Sequence, residues 1–515
     1  MVAVPASSPT TAEAEPASEA IEHVPIAVVG TGFAGLGTAI ALQREGRQFL
    51  VLERASDLGG TWRDNRYPGC RCDVPSHLYS FSFAPNPEWS ETYSPQGEIW
   101  EYLRRVARDH GVLDRVRFDC EVRDAQWDED RQHWRLDTAR GPLTAEVLVL
   151  GNGPLAEPAL PDIPGREDFA GTAFHSAAWS DHDLTGERVA VIGTGASAIQ
   201  FVPEIQPQVE HLTVFQRTPP WVLPHRNRPI TDAERALYRR VPAAQKAVRN
   251  MVYWSRELVA TALVNNTRTL VRLETLATRN LREQVHDPQL RAKLTPDYRP
   301  GCKRLLLSND WYPALQQPNV TVETEKITEI HPRAVVTSDG VEHEVDTIIY
   351  GTGFRVTDNP IAEKVTGAHG RSLDECWQDT GAQAYLGACV PGFPNLFLLA
   401  GPNTGIGHTS LVVMIEAQID YLLDALRVRE ERGAAALELR QPVFEQWTRE
   451  VQAKAAGTVW NSGGCSSWYL DEEGRNTTLW PDLTFRFRQR TRRFDLENYE
   501  LIAPRAAAVT EEVAR

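Results

Sequence analysis

The stretch VPIAVVGTGFAG, residues 24–35, decides the fold. A short apolar run rich in β-branched residues leads into glycines at the spacing G-x-G-x-x-G, namely Gly30, Gly32 and Gly35. This spacing permits a tight turn, a close approach of the backbone to a pyrophosphate, and a helix packed closely on the strand. The start of that helix carries partial positive charge, which favours a phosphate. The stretch therefore predicts the strand, turn and helix of a Rossmann-like unit.

An acidic residue indicates which nucleotide this first unit binds. The next apolar run, FLVLE, ends at Glu53, 18 residues after Gly35. A carboxylate at this place accepts hydrogen bonds from ribose hydroxyls and repels a 2′-phosphate. The first unit is therefore predicted to bind FAD or NAD, and not NADP.

A second unit repeats the pattern and differs at the decisive position. RVAVIGTGASA (188–198) places Gly193, Gly195 and the small Ala198 at the same spacing. The following run, HLTVFQR, ends at Arg217, where an acid would indicate NAD. A guanidinium can bind a 2′-phosphate through two hydrogen bonds, although an arginine at a strand end can also simply face solvent. The second unit is predicted to bind NADPH.

The remaining apolar runs extend this organisation. EVLVLGNG (146–153), DTIIYGTG (346–353) and NLFLLAGPNTG (395–405) also end in glycine, as parallel strands of α/β proteins do. We therefore predict an α/β fold with two Rossmann-like dinucleotide-binding domains and a helical insertion. The predicted parts are a disordered tail (1–23), a discontinuous FAD-binding domain (24–160 and 355–515), an NADP-binding domain (161–354) and, within the latter, a helical insertion (231–294).

Two local signals support the predicted helices. Thr231 and Glu234 have the spacing of a capping box at the start of the insertion. Residues 409–432 have apolar side chains at helical spacing, with Gly433 as the predicted stop.

Composition restricts the partners. The net charge of −15 argues against nucleic acid, and no apolar run approaches the ~20 residues that span a bilayer. Seven cysteines, an odd number without C-x-x-C, argue against a disulfide framework and a zinc ribbon, and no metal is expected. A cytoplasmic location follows as an expectation, and the chain is expected to be a monomer or a small homo-oligomer.

Two longer motifs identify a family. One consists of Gly59-Gly60-Thr61-Trp62, Tyr67-Pro68-Gly69 and Asp73, and the other of Phe169, Gly171, His175 and Trp179 at the spacing F-x-G-x-x-x-H-x-x-x-W. With both, the chain resembles the type I Baeyer–Villiger monooxygenases over about residues 24–500. The family's shorter motif continues with Pro or Asp, whereas here Ser180 follows and Asp181 comes one place later. Trp179 separates the chain from the related N/S-oxygenating flavin monooxygenases, which usually carry Tyr or Phe there.

The resemblance implies roles for individual residues. The segment Gly301-Cys302-Lys303-Arg304 resembles one in which the lysine meets the 2′-phosphate, together with Arg217 and Thr218, and the arginine is the catalytic cation. Asp73 would hold Arg304 in place. Trp460 would be the catalytic-site tryptophan that covers the nicotinamide, with Trp468 as the alternative.

His175 would couple domain motion, or else be an ordinary buried histidine. The expected cofactor contacts are Gly30, Gly32, Phe33, Ala34, Gly35, Glu53, Thr61, Trp62, Asp73, Tyr79, Val122, Gly193, Thr194, Gly195, Ser197, Ala198, Arg217, Thr218, Lys303 and Arg304.

The implied activity uses NADPH, FAD and O2. NADPH reduces the flavin, O2 adds at the flavin C4a carbon, and the resulting peroxide attacks a ketone to give an ester or lactone. Arg304 would keep the peroxide anionic and stabilise charge on the adduct. The alternatives are an N/S-oxygenating flavin-containing monooxygenase and a non-oxygenating NADPH oxidase or reductase.

Overall fold

The structure is a computed structural model that describes residues 21–265, 269–378 and 380–505. Its strands, in chain order, are β1 (Glu22–Val29), β2 (Leu50–Leu52), β3 (Val116–Arg117), β4 (Val122–Asp128), β5 (His133–Thr138), β6 (Leu143–Leu150), β7 (Thr172–His175), β8 (Arg188–Ile192), β9 (His211–Phe215), β10 (Val222–Leu223), β11 (Leu306–Leu307), β12 (Val320–Glu323), β13 (Ile327–His331), β14 (Ala334–Thr337), β15 (Glu342–Glu344), β16 (Thr347–Tyr350), β17 (Val365–Thr366), β18 (Leu396–Leu398), β19 (Ala436–Leu439) and β20 (Tyr499–Ile502). Its α-helices are α1 (Phe33–Arg44), α2 (Thr61–Asp64), α3 (Gln96–Asp109), α4 (Ala198–Ile205), α5 (Asp232–Arg240), α6 (Pro242–Asn265), α7 (Thr269–Gln284), α8 (Pro288–Lys293), α9 (Trp311–Leu315), α10 (Leu373–Gln378), α11 (Leu411–Glu431), α12 (Gln441–Ala456), α13 (Val459–Ser462) and α14 (Thr484–Arg490).

The first sheet contains the first glycine pattern. Its order is β17-β4-β5-β6-β1-β2-β3, and β18 also pairs with β6. β1 is parallel to both of its neighbours, with Val28 opposite Val51 and Val149. Because β17 and β18 belong to this sheet, the chain returns to it after residue 355.

The second sheet is wholly parallel and contains the second glycine pattern. Its order is β12-β9-β8-β16-β7, with Val191 of β8 opposite Val214 and Ile349. The predicted α/β class, with a parallel core around each glycine pattern, is therefore confirmed. The antiparallel pair β4–β5 and the small sheet β13-β14-β15 are additions that the sequence did not indicate.

Both predicted helical signals are confirmed. Thr231 and Glu234 form a reciprocal capping box at the start of α5, and α5 to α8 occupy the region of the predicted insertion. Ser410 caps α11, which ends two residues before Gly433. α11 packs on α1, since a Cβ at Gly37 would lie 3.0 Å from Ile419 Cδ1.

Two expectations need correction. Residues 1–20 lie outside the described part of the chain, but Glu22 and His23 already belong to β1, so a tail cannot extend to residue 23. Cys302 and Cys465 form a disulfide, against the expectation from the cysteine pattern. They are 163 residues apart, and a pairing over that distance leaves no local spacing to detect. In the described ranges, no helix has both the length and the apolar character needed to cross a membrane.

Candidate functional site

The first glycine turn is shaped for close backbone contact. Gly30 has φ +94°, and a Cβ there would lie 2.9 Å from the Gly151 carbonyl oxygen. A Cβ at Gly35 would lie 1.8 Å from the Gly30 carbonyl oxygen, so α1 can pack this closely only with glycine. Gly32 precedes α1 without a side-chain cap. The first N–H groups of α1 are therefore available to a phosphate.

Glu53 lies at the same edge of the sheet. It is 6% exposed, and its carboxylate accepts hydrogen bonds from the Thr31 N–H (2.9 Å), the Thr31 hydroxyl (2.5 Å) and the Ala55 N–H (2.9 Å). These bonds fix the carboxylate beside the glycine turn. Oε2 accepts both bonds from Thr31, whereas Oε1 accepts the Ala55 N–H and has a second lone pair with which to accept a ribose hydroxyl.

Three aromatic residues continue the cleft from this turn. The ring centre of Phe33 lies 5.1 Å from that of Tyr79, and the indole N–H of Trp62 donates to the Tyr79 hydroxyl over 3.0 Å. These residues line one cleft with Gly30, Gly32, Ala34, Glu53, Thr61 and Val122. The structure thus brings together nine of the residues predicted for the cofactors. The sequence reasoning missed further residues that line the cleft, including Asn152, Ala400, Leu411, Val412 and Ile415.

Gly35 and Asp73 are not part of this cleft lining. Gly35 lies under the turn, where it sets the approach of α1 to β1. Asp73 instead pairs with Arg304.

The second glycine turn has the same construction. Gly193 has φ +110°, and a Cβ there would lie 2.5 Å from the Gly351 carbonyl oxygen. The Thr194 hydroxyl donates to the Thr218 carbonyl oxygen over 3.2 Å, which fixes the end of β9 beside the turn. Ser197 precedes α4 and makes no side-chain cap, while Ala198 packs under Gly351.

Two cations lie near this second turn. Arg217 is exposed, whereas Lys303 is half-buried with its Nζ 5.3 Å from the centre of the Tyr298 ring. Burial lowers the pKa of Lys303, the Arg217 charge lowers it further, and Asp297 partly opposes both effects. Two cations that repel each other form a site that an anion stabilises.

Arg304 and Asp73 form a bidentate ion pair. The Arg304 Nε and Nη2 atoms donate to the two Asp73 oxygens over 2.5 and 2.7 Å. The carboxylate of Asp73 raises the pKa of Arg304 further above its ordinary value. Burial acts to raise the pKa of Asp73, but the charge of Arg304 outweighs it, and the pKa of Asp73 falls below its ordinary value with a further contribution from Arg256. Arg304 is therefore a fixed, permanently charged cation.

The two long motifs meet between the two glycine turns. The Tyr67 ring centre lies 6.4 Å from that of Trp179 and 5.9 Å from that of Phe201 on α4. The Tyr67 hydroxyl donates to Gln200 Oε1 over 3.2 Å, and a Cβ at Gly69 would lie 2.7 Å from the Gln200 carbonyl oxygen. The motif that contains Asp73 is therefore packed against the helix of the second turn.

His175 lies at the end of β7, near this junction. It is buried, burial lowers its pKa, and its Nδ1 accepts the Ala177 N–H over 3.1 Å. Its ring centre lies 5.7 Å from that of Phe354. This placement fits a histidine that holds the edge of the second sheet.

The two candidate tryptophans have opposite environments. Trp460 is 1% exposed on α13 and packs in a cluster with Leu263, Val459 and Leu479. Trp468 is 47% exposed. The expectation that Trp460 belongs to a mobile cover does not agree with its burial in this cluster, whereas the exposure of Trp468 does.

Two residues near the ion pair escaped the sequence reasoning. Tyr469 is buried beside Arg304; burial raises the pKa of its hydroxyl, and the charge of Arg304 opposes that rise. Arg256, on α6 of the helical region, adds positive charge near Asp73. Neither residue belongs to a sequence pattern, although Tyr469 directly follows one of the tryptophans that were considered.

Comparisons with known proteins agree on the class of this site. Residues 27–231 match the family described as pyridine nucleotide-disulphide oxidoreductase. A Baeyer–Villiger monooxygenase of Streptomyces coelicolor is 53% identical over 96% of this chain and 95% of its own length, and one of Pseudomonas aeruginosa is 47% identical over 97% and 95%. A crystal structure of OTEMO in complex with FAD and NADP superposes with a TM-score of 0.84, at 27% identity, over 93% of this chain and 99% of the other.

Proposed function

The chain belongs to the Baeyer–Villiger monooxygenase family. From this membership we propose which residues bind FAD, which bind NADPH and which act in oxygen transfer. It is an FAD-dependent monooxygenase that uses NADPH, so the predicted activity and both predicted cofactors are confirmed. The observation that supports the division of roles is the fixed Arg304–Asp73 ion pair, which belongs to neither glycine turn.

The first glycine turn and its cleft are assigned to FAD. Bound FAD supplies the redox chemistry, since it accepts hydride from NADPH and reacts in reduced form with O2. Gly30 and Gly32 let the backbone meet the pyrophosphate, and Glu53 accepts hydrogen bonds from the ribose. In our proposal the FAD domain spans residues 24–160 and 355–515, of which 506–515 lie outside the described part of the chain. The NADP domain spans residues 161–354, with residues 231–294 as a helical insertion.

The second glycine turn is assigned to NADPH, with selectivity from two cations. Lys303 and Arg217 repel each other in the free protein, so a 2′-phosphate between them removes an unfavourable interaction and adds two favourable ones. NAD lacks that phosphate and leaves the repulsion in place. This difference is the proposed basis for a preference for NADPH.

Arg304 is assigned to the oxygen-transfer step. Its guanidinium stays protonated, so it can stabilise negative charge that develops on oxygen without donating its own proton. Asp73 fixes the orientation of this charge through two hydrogen bonds. The product of oxygen insertion beside a ketone carbonyl is an ester or lactone.

Exclusion of water is assigned to the segment around Trp468. Its exposed indole can close over bound nucleotide, whereas Trp460 is fixed in the core. A closed cover keeps water away from the reacting oxygen, so less hydrogen peroxide is released in place of product.

The natural partner is proposed to be a small ketone, together with O2, and the enzyme to act as a monomer or small homo-oligomer. A cytoplasmic location is also proposed. Cell fractionation and size-exclusion chromatography with light scattering test these two points.

The central test separates reduction from oxygenation. The enzyme is reduced anaerobically with NADPH and then mixed with O2 and 2-decanone, cyclohexanone or acetophenone, and ester and hydrogen peroxide are measured per NADPH consumed. Arg304→Ala should still bind flavin but release hydrogen peroxide in place of ester, because the fixed counter-charge is lost. Arg272→Ala, which removes an exposed arginine on α7, serves as the control and should behave as wild type. Ester formation by Arg304→Ala at unchanged yield per NADPH contradicts the assigned role.

A further inference from the structure

The disulfide between Cys302 and Cys465 joins two segments that carry proposed functional residues. Cys302 directly precedes Lys303 and Arg304, and Cys465 lies three residues before Trp468. Because 163 residues separate the two cysteines, the segments meet only in the folded chain.

The packing around this disulfide is close on both sides. Arg299 donates its backbone N–H to the Gly463 carbonyl oxygen over 3.0 Å. A Cβ at Gly463 would lie 2.6 Å from the Cβ of Cys302, so the absence of a side chain lets the two segments approach. Cys302 is 1% exposed in an apolar cluster with Trp221 and Tyr298, whereas Cys465 is partly exposed. The crosslink therefore joins a buried residue to one that is partly exposed.

Both proposed cations lie next to the crosslink. Lys303 extends over the ring of Tyr298, which shares the apolar cluster of Cys302. On the other side, Tyr469 follows Cys465 by four residues and lies against the Arg304 guanidinium. The crosslink thus fixes the segment of Trp468 and Tyr469 to the segment of the two cations.

The residues next to Cys465 make few other contacts that would hold this segment in place. Gly464, Ser466 and Trp468 are exposed, so this short stretch is held mainly by the buried ring of Tyr469 and by the crosslink. A disulfide between distant segments restricts the conformations in which those segments are apart, and the restriction is larger for a longer intervening loop. Without it, we expect the stretch to leave the cations more often and to admit water to the reaction.

We propose that the Cys302–Cys465 disulfide is a positioning crosslink of the active site, which holds Lys303 and Arg304 against the Trp468–Tyr469 segment so that NADP stays bound during oxygen transfer. The inference rests on the functions proposed above for Lys303 and Arg304. It makes nucleotide retention dependent on the thiol redox state of this one pair.

A dithiol reductant reverses the crosslink by a balanced exchange. A dithiothreitol thiolate attacks Sγ of Cys465, the more exposed residue of the pair, and Cys302 leaves as a thiolate that takes up a proton. The second dithiothreitol thiol then closes its own disulfide and releases Cys465 as a thiol. The chain gains two electrons and two protons, which the reagent loses.

The test compares oxidised, reduced and reoxidised FAD-loaded enzyme, with the disulfide followed by mass spectrometry of alkylated peptides. The primary measurement is NADP⁺ binding by isothermal titration calorimetry, which does not depend on turnover. Reduction should raise the dissociation constant of NADP⁺ by about 5–10-fold, which corresponds to about 1–1.4 kcal/mol of binding free energy. It should also raise the KM for NADPH and the hydrogen peroxide released per NADPH, while the maximal rate of flavin reduction changes little.

Three comparisons identify the crosslink as the cause. Reoxidation should restore the affinity, the double variant Cys302→Ser/Cys465→Ser should resemble reduced wild type and ignore the reductant, and Cys376→Ser, at a half-buried cysteine on α10, should behave as wild type. Equal NADP⁺ affinity and equal peroxide release with the disulfide intact and fully reduced would overturn the proposal. So would failure of the pair to form a disulfide after treatment with oxidised glutathione. If the oxidised enzyme makes no ester from any ketone but reduction still weakens NADP⁺ binding, the assigned reaction fails and the crosslink stands.

Discussion

Replacing Lys303 by methionine tests the assignment of the second nucleotide site. Methionine keeps an unbranched apolar side chain that can pack over the Tyr298 ring, and it removes the charge. A charge-assisted hydrogen bond to phosphate contributes about 1.5–3 kcal/mol. At 1.4 kcal/mol per factor of ten, Lys303→Met should raise the dissociation constant of NADP⁺ about 10–150-fold.

The surroundings of Lys303 favour the upper half of this range. Lys303 is half-buried, where solvent screens its charge less, and in the free protein it meets the like charge of Arg217. Arg217 is exposed, so Arg217→Met should cost less than Lys303→Met. Because Lys303→Met relieves the repulsion, it should not lower the melting temperature of the protein free of nucleotide.

Calorimetric titration of the FAD-loaded enzyme with NADP⁺ and with NAD⁺ checks this prediction. Lys303→Met should weaken NADP⁺ binding and leave NAD⁺ binding nearly unchanged, because NAD⁺ carries no 2′-phosphate. Lys326→Met, at an exposed lysine just before β13, is the matched control and should alter neither affinity. An equal loss of affinity for both nucleotides would refute the 2′-phosphate contact and indicate a general disturbance of the site.

Three other predictions concern the ion pair, a buried histidine and the flavin. Asp73→Asn should lower the ester yield per NADPH less than Arg304→Ala does, because it disorders the guanidinium and leaves its charge in place, and product analysis under matched conditions ranks the two. Burial lowers the pKa of His77 to about 4, so folding keeps this ring neutral while the unfolded chain gains a proton below about pH 6.5. Stability should therefore fall between pH 6.5 and 4, by about 2–3 kcal/mol from this group, and denaturant unfolding of His77→Asn, which can still accept from Gln245, should lack that part. Chromatography of the denatured holoenzyme should recover FAD, and recovery of FMN alone would contradict the interpretation of Glu53.

The parts of the fold that the sequence predicted depend on neighbours along the chain. At Gly30 and Gly193 the backbone has positive φ and no room for a Cβ. Only glycine fits there, so the spacing of the glycines alone is enough to predict the turn. The capping box of Thr231 and Glu234 likewise acts within four residues. Such short-range requirements can be recognised without knowledge of the rest of the fold.

The misplaced features depend on contacts between distant segments. The sequence did not distinguish Trp460 from Trp468, and Trp460 is buried because α13 packs in a cluster with Leu263 of α6. Cys302 and Cys465 come together only in the tertiary structure, so the number and spacing of the cysteines could not predict their disulfide. The early start of β1 has the same cause, because Glu22 is held by pairing with Leu143 of β6.

The contact between the two long motifs connects nucleotide binding with the catalytic cation. Gln200 of α4 accepts from the Tyr67 hydroxyl and the Arg71 N–H, and it donates to the Arg71 carbonyl oxygen over 3.1 Å. Asp73 follows Arg71 by two residues and holds Arg304. The start of α4 lies at the turn assigned to the NADP pyrophosphate, so the helix that meets the nucleotide also fixes the backbone that carries the partner of the catalytic arginine. The position of Arg304 therefore depends on the same hydrogen bonds that join the two motifs. For this reason cofactor binding and catalysis cannot be assigned to separate sets of residues in this site.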